Sequence, residues 1–272
     1  MGTVAPTRWS ARIGARLDHD GYVRLPGALD PALVEELRQA VDDVSARHRD
    51  SSASAALHLL AFLREDRRFV QLLDHRPVID VVAEALGSNI FMYHAHLDVH
   101  PPETAPATTW MWHQDGGIQN RDLETSPRPR MSVKVAYFLT DVSVPGRGNF
   151  VVLPGSHRSD SIERSPQGSD LAGMVPVLAE PGDAVVFDRR LWHMRSPNRS
   201  TVTRKALFLA YTYRWVRARD DLRLPPTIVE GLTPVQRQLA GIDTEDPFPL
   251  WMPDRSPLPL RDLLDEDPTS EG

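Results

Sequence analysis

The stretch IFMYHAHLDVH, residues 90–100, decides the fold. Its residues alternate with a period of two, the pattern of a strand with two unlike faces. His94, His96, Asp98 and His100 fall on one face, because side chains at i and i+2 point the same way. The chain before this stretch has another rhythm. Asp30 as N-cap and Pro31 at the first helical position start a helix, and Leu33, Val34, Leu37 and Val41 carry it at helical spacing to about Arg47. Residues 55–86 read as two or three further helices, with Pro77 opening the last and Gly87 ending it. Residues 21–26 form a short alternating strand, and residues 1–19 a loose basic leader.

Beyond residue 100 the two-residue period persists. Strand patterns recur at 109–114, 132–139, 149–153, 175–178, 183–187 and 205–215, and the loops between them carry Pro and Gly. Helices followed by a β-rich body predict a mainly β fold, a jelly-roll or cupin-like core with helices flanking one sheet. One domain is expected over residues 1–252: a helical part over 1–88, the jelly-roll core over 89–216 and a C-terminal extension over 217–252. Residues 253–272, rich in Pro, Asp and Ser, read as a disordered tail.

Composition narrows the function. A net charge of −6, with no block of like charge, points to neither nucleic acid nor a membrane surface as a partner. The chain has no cysteine, so any metal must be held by His, Asp or Glu. No run approaches a membrane span and the N-terminus lacks the apolar core of a signal peptide. A cytoplasmic location is expected, which suits a ferrous site. Nothing in the sequence sets an oligomeric state.

His113-Gln114-Asp115 closes a short apolar strand, so one imidazole and one carboxylate share a face. A second imidazole from a distant strand, His193, would complete a two-His-one-carboxylate set with open positions, the ligand type of non-haem Fe(II) oxygen chemistry. The His-x-Asp match is weak by itself. His96-Leu97-Asp98 has the same spacing, and the face His94, His96, Asp98, His100 is either a metal site or a polar pocket wall.

Two downstream segments separate these readings: PGRGNFVVLPGSH at 145–157 and PGDAVVFDRRLWH at 181–193. With HDGYVRLPG at 19–27 and the Asn198, Ser200, Arg204 series, they make the chain resemble the phytanoyl-CoA dioxygenase-like family of Fe(II)- and 2-oxoglutarate-dependent oxygenases, through about Trp215. The resemblance implies a double-stranded β-helix core, with iron held by His113, Asp115 and His193. His157, in the Pro-Gly-Ser-His turn, is not a ligand in the family and reads as a histidine that satisfies loop backbone groups.

Iron with three protein ligands keeps three positions. A 2-oxo acid chelates through two, O₂ takes the third, and the far carboxylate of 2-oxoglutarate needs a fixed cation that Arg matches with two parallel hydrogen bonds. The family places that arginine at Arg204; Arg195 and Arg199 lie nearby. Arg195 stands where the family pattern has a serine that helps hold the co-substrate. It either adds a second charge to 2-oxoglutarate or turns toward an anionic substrate. The resemblance also matches Ser200 and Tyr137 to the co-substrate's surroundings, His96 to a pocket wall, and His58, on the second helical stretch, to a residue that reaches the co-substrate.

The implied reaction converts 2-oxoglutarate and O₂ to succinate and CO₂ while oxidising a C–H bond of a small molecule. Asp115, which related halogenases lack, favours hydroxylation. Candidate substrate contacts are His94, Asp98, Trp110, Gln114, Arg195 and Trp192, and a wall of His and Asp suits a hydroxylated or amino-bearing natural-product intermediate. The competing readings are a His₂Asp zinc hydrolase, which would not require Arg204, and a non-catalytic jelly-roll binding protein.

Overall fold

The computed structural model describes residues 11–48, 56–103, 112–123, 125–162, 171–242 and 258–266. Among the described residues, nine strands form two antiparallel sheets: β1 (Tyr22–Leu25), β2 (Leu57–Leu60), β3 (Ile90–His100), β4 (Ser132–Phe138), β5 (Phe150–Val152), β6 (Val175–Pro176), β7 (Ala184–Asp188), β8 (His193–Arg195) and β9 (Arg204–Tyr213). The larger sheet runs β1-β7-β4-β9-β3-β2 and the smaller β6-β5-β8. This is a jelly-roll arrangement whose sheets are not closed into a barrel.

The larger sheet is covered on both faces, which is why its central strands are apolar almost throughout. Helices α1 (Ala11–Asp20), α2 (Pro31–His48) and α3 (Arg76–Leu86) precede β3. Val34, Leu37 and Val41 of α2 and Val78, Ile79 and Val82 of α3 join one buried cluster with Val133, Val135 and Tyr137 of β4 and Leu207 and Leu209 of β9. Ala136, Phe138 and Phe208 turn the other way and meet Phe150 and Val152 of the smaller sheet. Every residue of β4 is buried, and its alternation decides which layer each joins.

Several boundaries match the sequence reading closely. Asp30 Oδ1 accepts the Leu33 backbone N–H at 2.8 Å, so α2 has the expected cap. Gly87 ends α3 at φ +81°. The strand at 90–100 has the expected limits but carries a bulge between Met92 and His94. The bulge shifts the parity: Ile90 and Met92 face the helices, and Ala95, Leu97 and Val99 take over that side. His94, His96 and Asp98 are thereby aimed into the space between the sheets.

Three expectations are corrected. Within the stretch read as helices, Leu57–Leu60 is strand β2, paired with β3 from Leu57↔Val99 to Leu60↔His96. Four apolar-rich residues carry no period of their own, and the open edge of β3 decides their state. The stretch beyond it is two short 3₁₀ segments, Phe62–Arg64 and Arg67–Leu72. The helical N-terminal part thus supplies both edge strands of the larger sheet. Second, within the stretch read as a basic leader, Ala11–Asp20 is helix α1, and its Leu17 is 1% exposed.

Third, the C-terminal stretch read as a tail contains an ordered helix. After α4 (Ile118–Asp122), α5 (Pro226–Val229) and α6 (Pro234–Leu239), helix α7 (Pro259–Asp265) places Leu260 in the main core at 0% exposure. The Leu260 backbone N–H donates to Gln238 Oε1 at 3.0 Å. Composition averages over the stretch and hides Leu258 and Leu260, which hold it down. Leu260→Ala is expected to destabilise the protein by about 2–5 kcal/mol, read as a lowered denaturant midpoint with an unchanged slope.

Candidate active site

The site begins with a backbone bridge. His113 and His193 exchange both backbone hydrogen bonds, at 3.1 and 3.0 Å, so the metal-motif segment is docked onto β8. Asp115 is fixed next, its N–H donating to Arg189 O at 2.8 Å. Its carbonyl accepts from Asn120 Nδ2 at 2.9 Å and is also met by Arg189 Nη1. Arg189 is 1% exposed. Gly116 adopts φ +114°, and a Cβ there would stand 2.5 Å from Arg189 Nη1. The glycine therefore makes room for the arginine that holds Asp115 from behind.

These constraints bring one ligand atom each from His113, Asp115 and His193 within 4.8 Å of one another. The two imidazole rings lie 4.3 Å apart, and His193 Nε2 is 3.9 Å from Asp115 Oδ2. His193 Nδ1 donates to Leu191 O at 2.8 Å, which leaves Nε2 bare and turned toward the carboxylate. Burial, with His113 alongside, pushes the His193 pKa down to about 3, so its imidazole is neutral at physiological pH. Phe150 and Phe187 pack at 5.1 Å from its ring.

Lys134 of β4 completes the cluster and was not anticipated. Its Nζ lies 3.3 Å from both oxygens of Asp115, with side-chain exposures of 8% and 12%. Burial alone would raise the Asp115 pKa, but Lys134 and the two imidazoles outweigh it and hold the carboxylate ionised. The signal was present: Lys134, in phase with Ala136 and Phe138, is the one charged residue of the strand SVKVAYF.

Arg204 opens β9 on the same cavity, its guanidinium beside Phe138 and Phe208 at 5.6 and 5.8 Å. It is 2% exposed, and its Nε and Nη1 have no hydrogen-bond partner among the described residues. Burial lowers its pKa to about 10, with Asp98 opposing, so it is charged at neutral pH. Gly148, at φ +71°, lies against its stem: a Cβ there would come within 2.8 Å of Arg204 Cδ. Gly148 of the 145–157 motif thus makes room for Arg204 directly. Asn149 Nδ2 meanwhile ties the turn to Val142 O at 2.8 Å.

His58, His94, His96, Asp98 and Arg195 line the same cavity as the triad, Lys134 and Arg204. His58 does so from strand β2, not from a helix, and its Nδ1 is 2.6 Å from Asp98 Oδ1. Arg195 Nη1 is paired with Glu103 Oε1 at 2.6 Å. Arg219 and Asp220, from the C-terminal extension, had no sequence signal, because loops of any origin can fold over a cavity mouth.

Four expected contacts do not reach the cavity. Tyr137 has the wrong parity on β4 and is buried in the helix-facing core, away from Arg204. Gln114 lies between two ligands on a strand and so turns outward, where Nε2 donates to Ser159 O at 3.0 Å. Trp192, next to His193, turns outward for the same reason and packs with Trp112, Val151 and Met194. Ser200 spends its hydroxyl on Asn198 Oδ1 at 2.7 Å and shapes the turn before β9. Trp110 lies outside the described residues. His157 Nε2 meets Asp18 O at 3.0 Å, as a loop-satisfying histidine would.

Comparison with known proteins places this geometry in a family. A profile described as "Phytanoyl-CoA dioxygenase (PhyH)" matches residues 17–206. The chain is similar to dioxygenase trt7 of Aspergillus terreus, at 24% identity over 91% of this chain and 90% of that protein. It is 25% identical to L-proline trans-4-hydroxylase of Streptomyces griseoviridis over 81% of this chain and 92% of that one. Among solved structures, the α-ketoglutarate-dependent carbocyclase SnoK from nogalamycin biosynthesis shares the fold, with a TM-score of 0.62 at 21% identity over 86% of this chain and 95% of that one. The match over residues 17–206 spans most of the jelly roll and all three candidate ligands, and the chain belongs to the phytanoyl-CoA dioxygenase family of Fe(II)- and 2-oxoglutarate-dependent oxygenases.

Proposed function

We propose that this protein hydroxylates a C–H bond of a small polar molecule, with Fe(II) held by His113, Asp115 and His193 and 2-oxoglutarate held by Arg204. The observation that carries the reading is the pairing of two features in one cavity. A triad of two imidazoles and a carboxylate stands with a buried, charged Arg204 whose Nε and Nη1 lack hydrogen-bond partners among the described residues. A buried guanidinium without an anion is costly, and a bound dicarboxylate is the anion that removes the cost. A zinc hydrolase gives Arg204 no such role.

The donor set fits iron: two nitrogens and one carboxylate leave positions open for a chelating 2-oxo acid and O₂. Iron with 2-oxoglutarate supplies the oxidising power when bound, and the protein supplies position, charge and exclusion of water. His193 presents Nε2 because Leu191 O holds the other nitrogen's proton. Lys134 Nζ, 3.3 Å from both Asp115 oxygens, would keep the carboxylate ionised and oriented as a ligand. Arg204 orients the co-substrate by a fork of donors, and Phe150, Phe187 and Phe208 keep the surroundings dry.

The intact Asp115 supports hydroxylation over halogenation. Several relatives are named for oxidising small polar molecules, including ectoine dioxygenase of Nocardia farcinica and the proline hydroxylase above. Anaerobic titration with Fe(II) and 2-oxoglutarate is expected to produce a weak visible charge-transfer band that neither component gives alone. A wild-type protein that shows no band, while Fe(II) binding is demonstrated, removes the chelated co-substrate from the proposal.

A further inference from the structure

A buried chain of hydrogen bonds runs from the C-terminal extension to the cavity wall. Asp220 Oδ2 accepts the Ala95 backbone N–H at 2.8 Å and lies 2.8 Å from His94 Nδ1. His94 Nε2 is 3.1 Å from His96 Nδ1. The side chains of His94 and Asp220 are 3% and 4% exposed, and the His96 ring stacks on Phe208 at 4.4 Å. Asp98 Oδ2 lies 3.9 Å from His96 Nε2, beyond hydrogen-bond reach.

The chain fixes two tautomers in succession. A carboxylate can only accept, so the Asp220 bond requires the proton of His94 on Nδ1. Burial lowers the His94 pKa, with the bond to Asp220 opposing, and the ring is neutral. Its Nε2 is then bare and can only accept, so His96 must carry its own proton on Nδ1. That leaves His96 Nε2 without a proton. Asp98 beside it is ionised: burial raises its pKa, but His100, 3.7 Å from Oδ2, and His58, bonded to Oδ1 at 2.6 Å, hold it well below the usual range. Two acceptors thus sit together on the wall of the cavity that also holds the metal triad.

Given the oxygenase reading above, the geometry points to a donor-selective substrate subsite, in which His96 Nε2 and Asp98 Oδ2 receive a hydroxyl or ammonium group of the substrate. Asp220 and His94 act as positioning residues, setting the polarity of the wall without touching substrate. Two neighbouring acceptors cannot satisfy each other, and leaving either one dry is costly. A plain acyl chain offers nothing to them, whereas a vicinal diol or an amine offers two donors.

The test reads the tautomers directly. In protein labelled with ¹⁵N-histidine and loaded with diamagnetic Zn(II) and 2-oxoglutarate, long-range ¹H–¹⁵N correlation distinguishes protonated from bare ring nitrogens, with His96→Gln assigning the signal. His96 is expected to carry its proton on Nδ1. A proton on His96 Nε2 in the wild type at pH 7.5 overturns the inference, and needs no variant to do so. Asp220→Asn, whose amide can donate to His94 Nδ1, is expected to invert both tautomers.

Titration with cis-1,2-cyclohexanediol and with cyclohexylamine, each against its fully methylated twin (cis-1,2-dimethoxycyclohexane and the N,N,N-trimethylcyclohexylammonium ion), which has no N–H or O–H to donate, then asks which donor is taken. At least one donor-bearing probe is expected to move the His96 Nε2 signal and to bind at least tenfold more weakly in Asp220→Asn. Equal behaviour of the methylated twins, or no shift with either donor, overturns donor selection. Failure of Zn(II) to move the His113 and His193 signals would instead count against the metal reading, so the two failures are separable.

Discussion

Asp115→Ala is expected to abolish Fe(II)- and 2-oxoglutarate-dependent succinate formation and to weaken metal binding by about 10²–10⁴-fold. The size follows from what the substitution leaves behind. Asp115 is the triad's only anion, and Lys134 Nζ is 3.3 Å from both its oxygens. Without the carboxylate, a buried ammonium faces the two imidazoles and repels any dication between them. Breaking a buried pair from one side costs about 3–5 kcal/mol, which is the stated range when expressed as a ratio. The same imbalance is expected to destabilise the metal-free protein. The double variant Asp115→Ala/Lys134→Met separates the two effects: it should recover most of the stability lost in Asp115→Ala and none of the metal affinity. Isothermal titration with Fe(II) under nitrogen, beside urea unfolding of all three proteins, measures both. Metal affinity in Asp115→Ala within tenfold of wild type would remove Asp115 from the ligand set.

How much of this site was legible depended on parity. The ligands were readable because His113 and Asp115 are two apart and the 181–193 segment ends on His193. The same rule, applied to their neighbours, turns Gln114 and Trp192 outward and gives Tyr137 to the helices. Tyr137 is matched to the co-substrate by resemblance and Gln114 and Trp192 are candidate substrate contacts, where alternation already opposes all three. Lys134 could have been found by that rule, as the inward phase of β4 contains it. The bulge after Met92 could not, since the residues on either side do not announce which strand will be one residue longer. Nor could β2, whose Leu57–Leu60 sequence becomes a strand only because β3 has a free edge. Asp220 is the extreme case: its function depends on a contact with His94 across 126 positions of chain, and no local pattern encodes it.

Arg204→Met is expected to move two measurements in opposite directions. Wild-type protein without co-substrate buries a charged guanidinium, 2% exposed, beside Phe138 and Phe208, with two nitrogens that have no hydrogen-bond partner among the described residues. Methionine of similar reach removes that charge from an apolar cleft. Replacing poorly compensated buried charge with a packed apolar side chain is neutral to stabilising, by about 1–4 kcal/mol. The melting temperature of the co-substrate-free variant should therefore equal or exceed that of wild type, by up to several degrees. Affinity for 2-oxoglutarate should fall by about 10²–10³-fold, as expected when one side of a buried charged hydrogen-bond pair is lost. In wild type, 2-oxoglutarate at a hundred times its Kd adds about 2.7 kcal/mol of stability by mass action, and in the variant the same concentration should add almost nothing. The two melting curves thus cross as 2-oxoglutarate is added. A merely structural arginine predicts the reverse for the free protein, a lower melting temperature at every concentration. Arg204→Lys sharpens the comparison: it keeps the charge but not the fork, so it should retain the cost of burial while recovering only part of the co-substrate affinity.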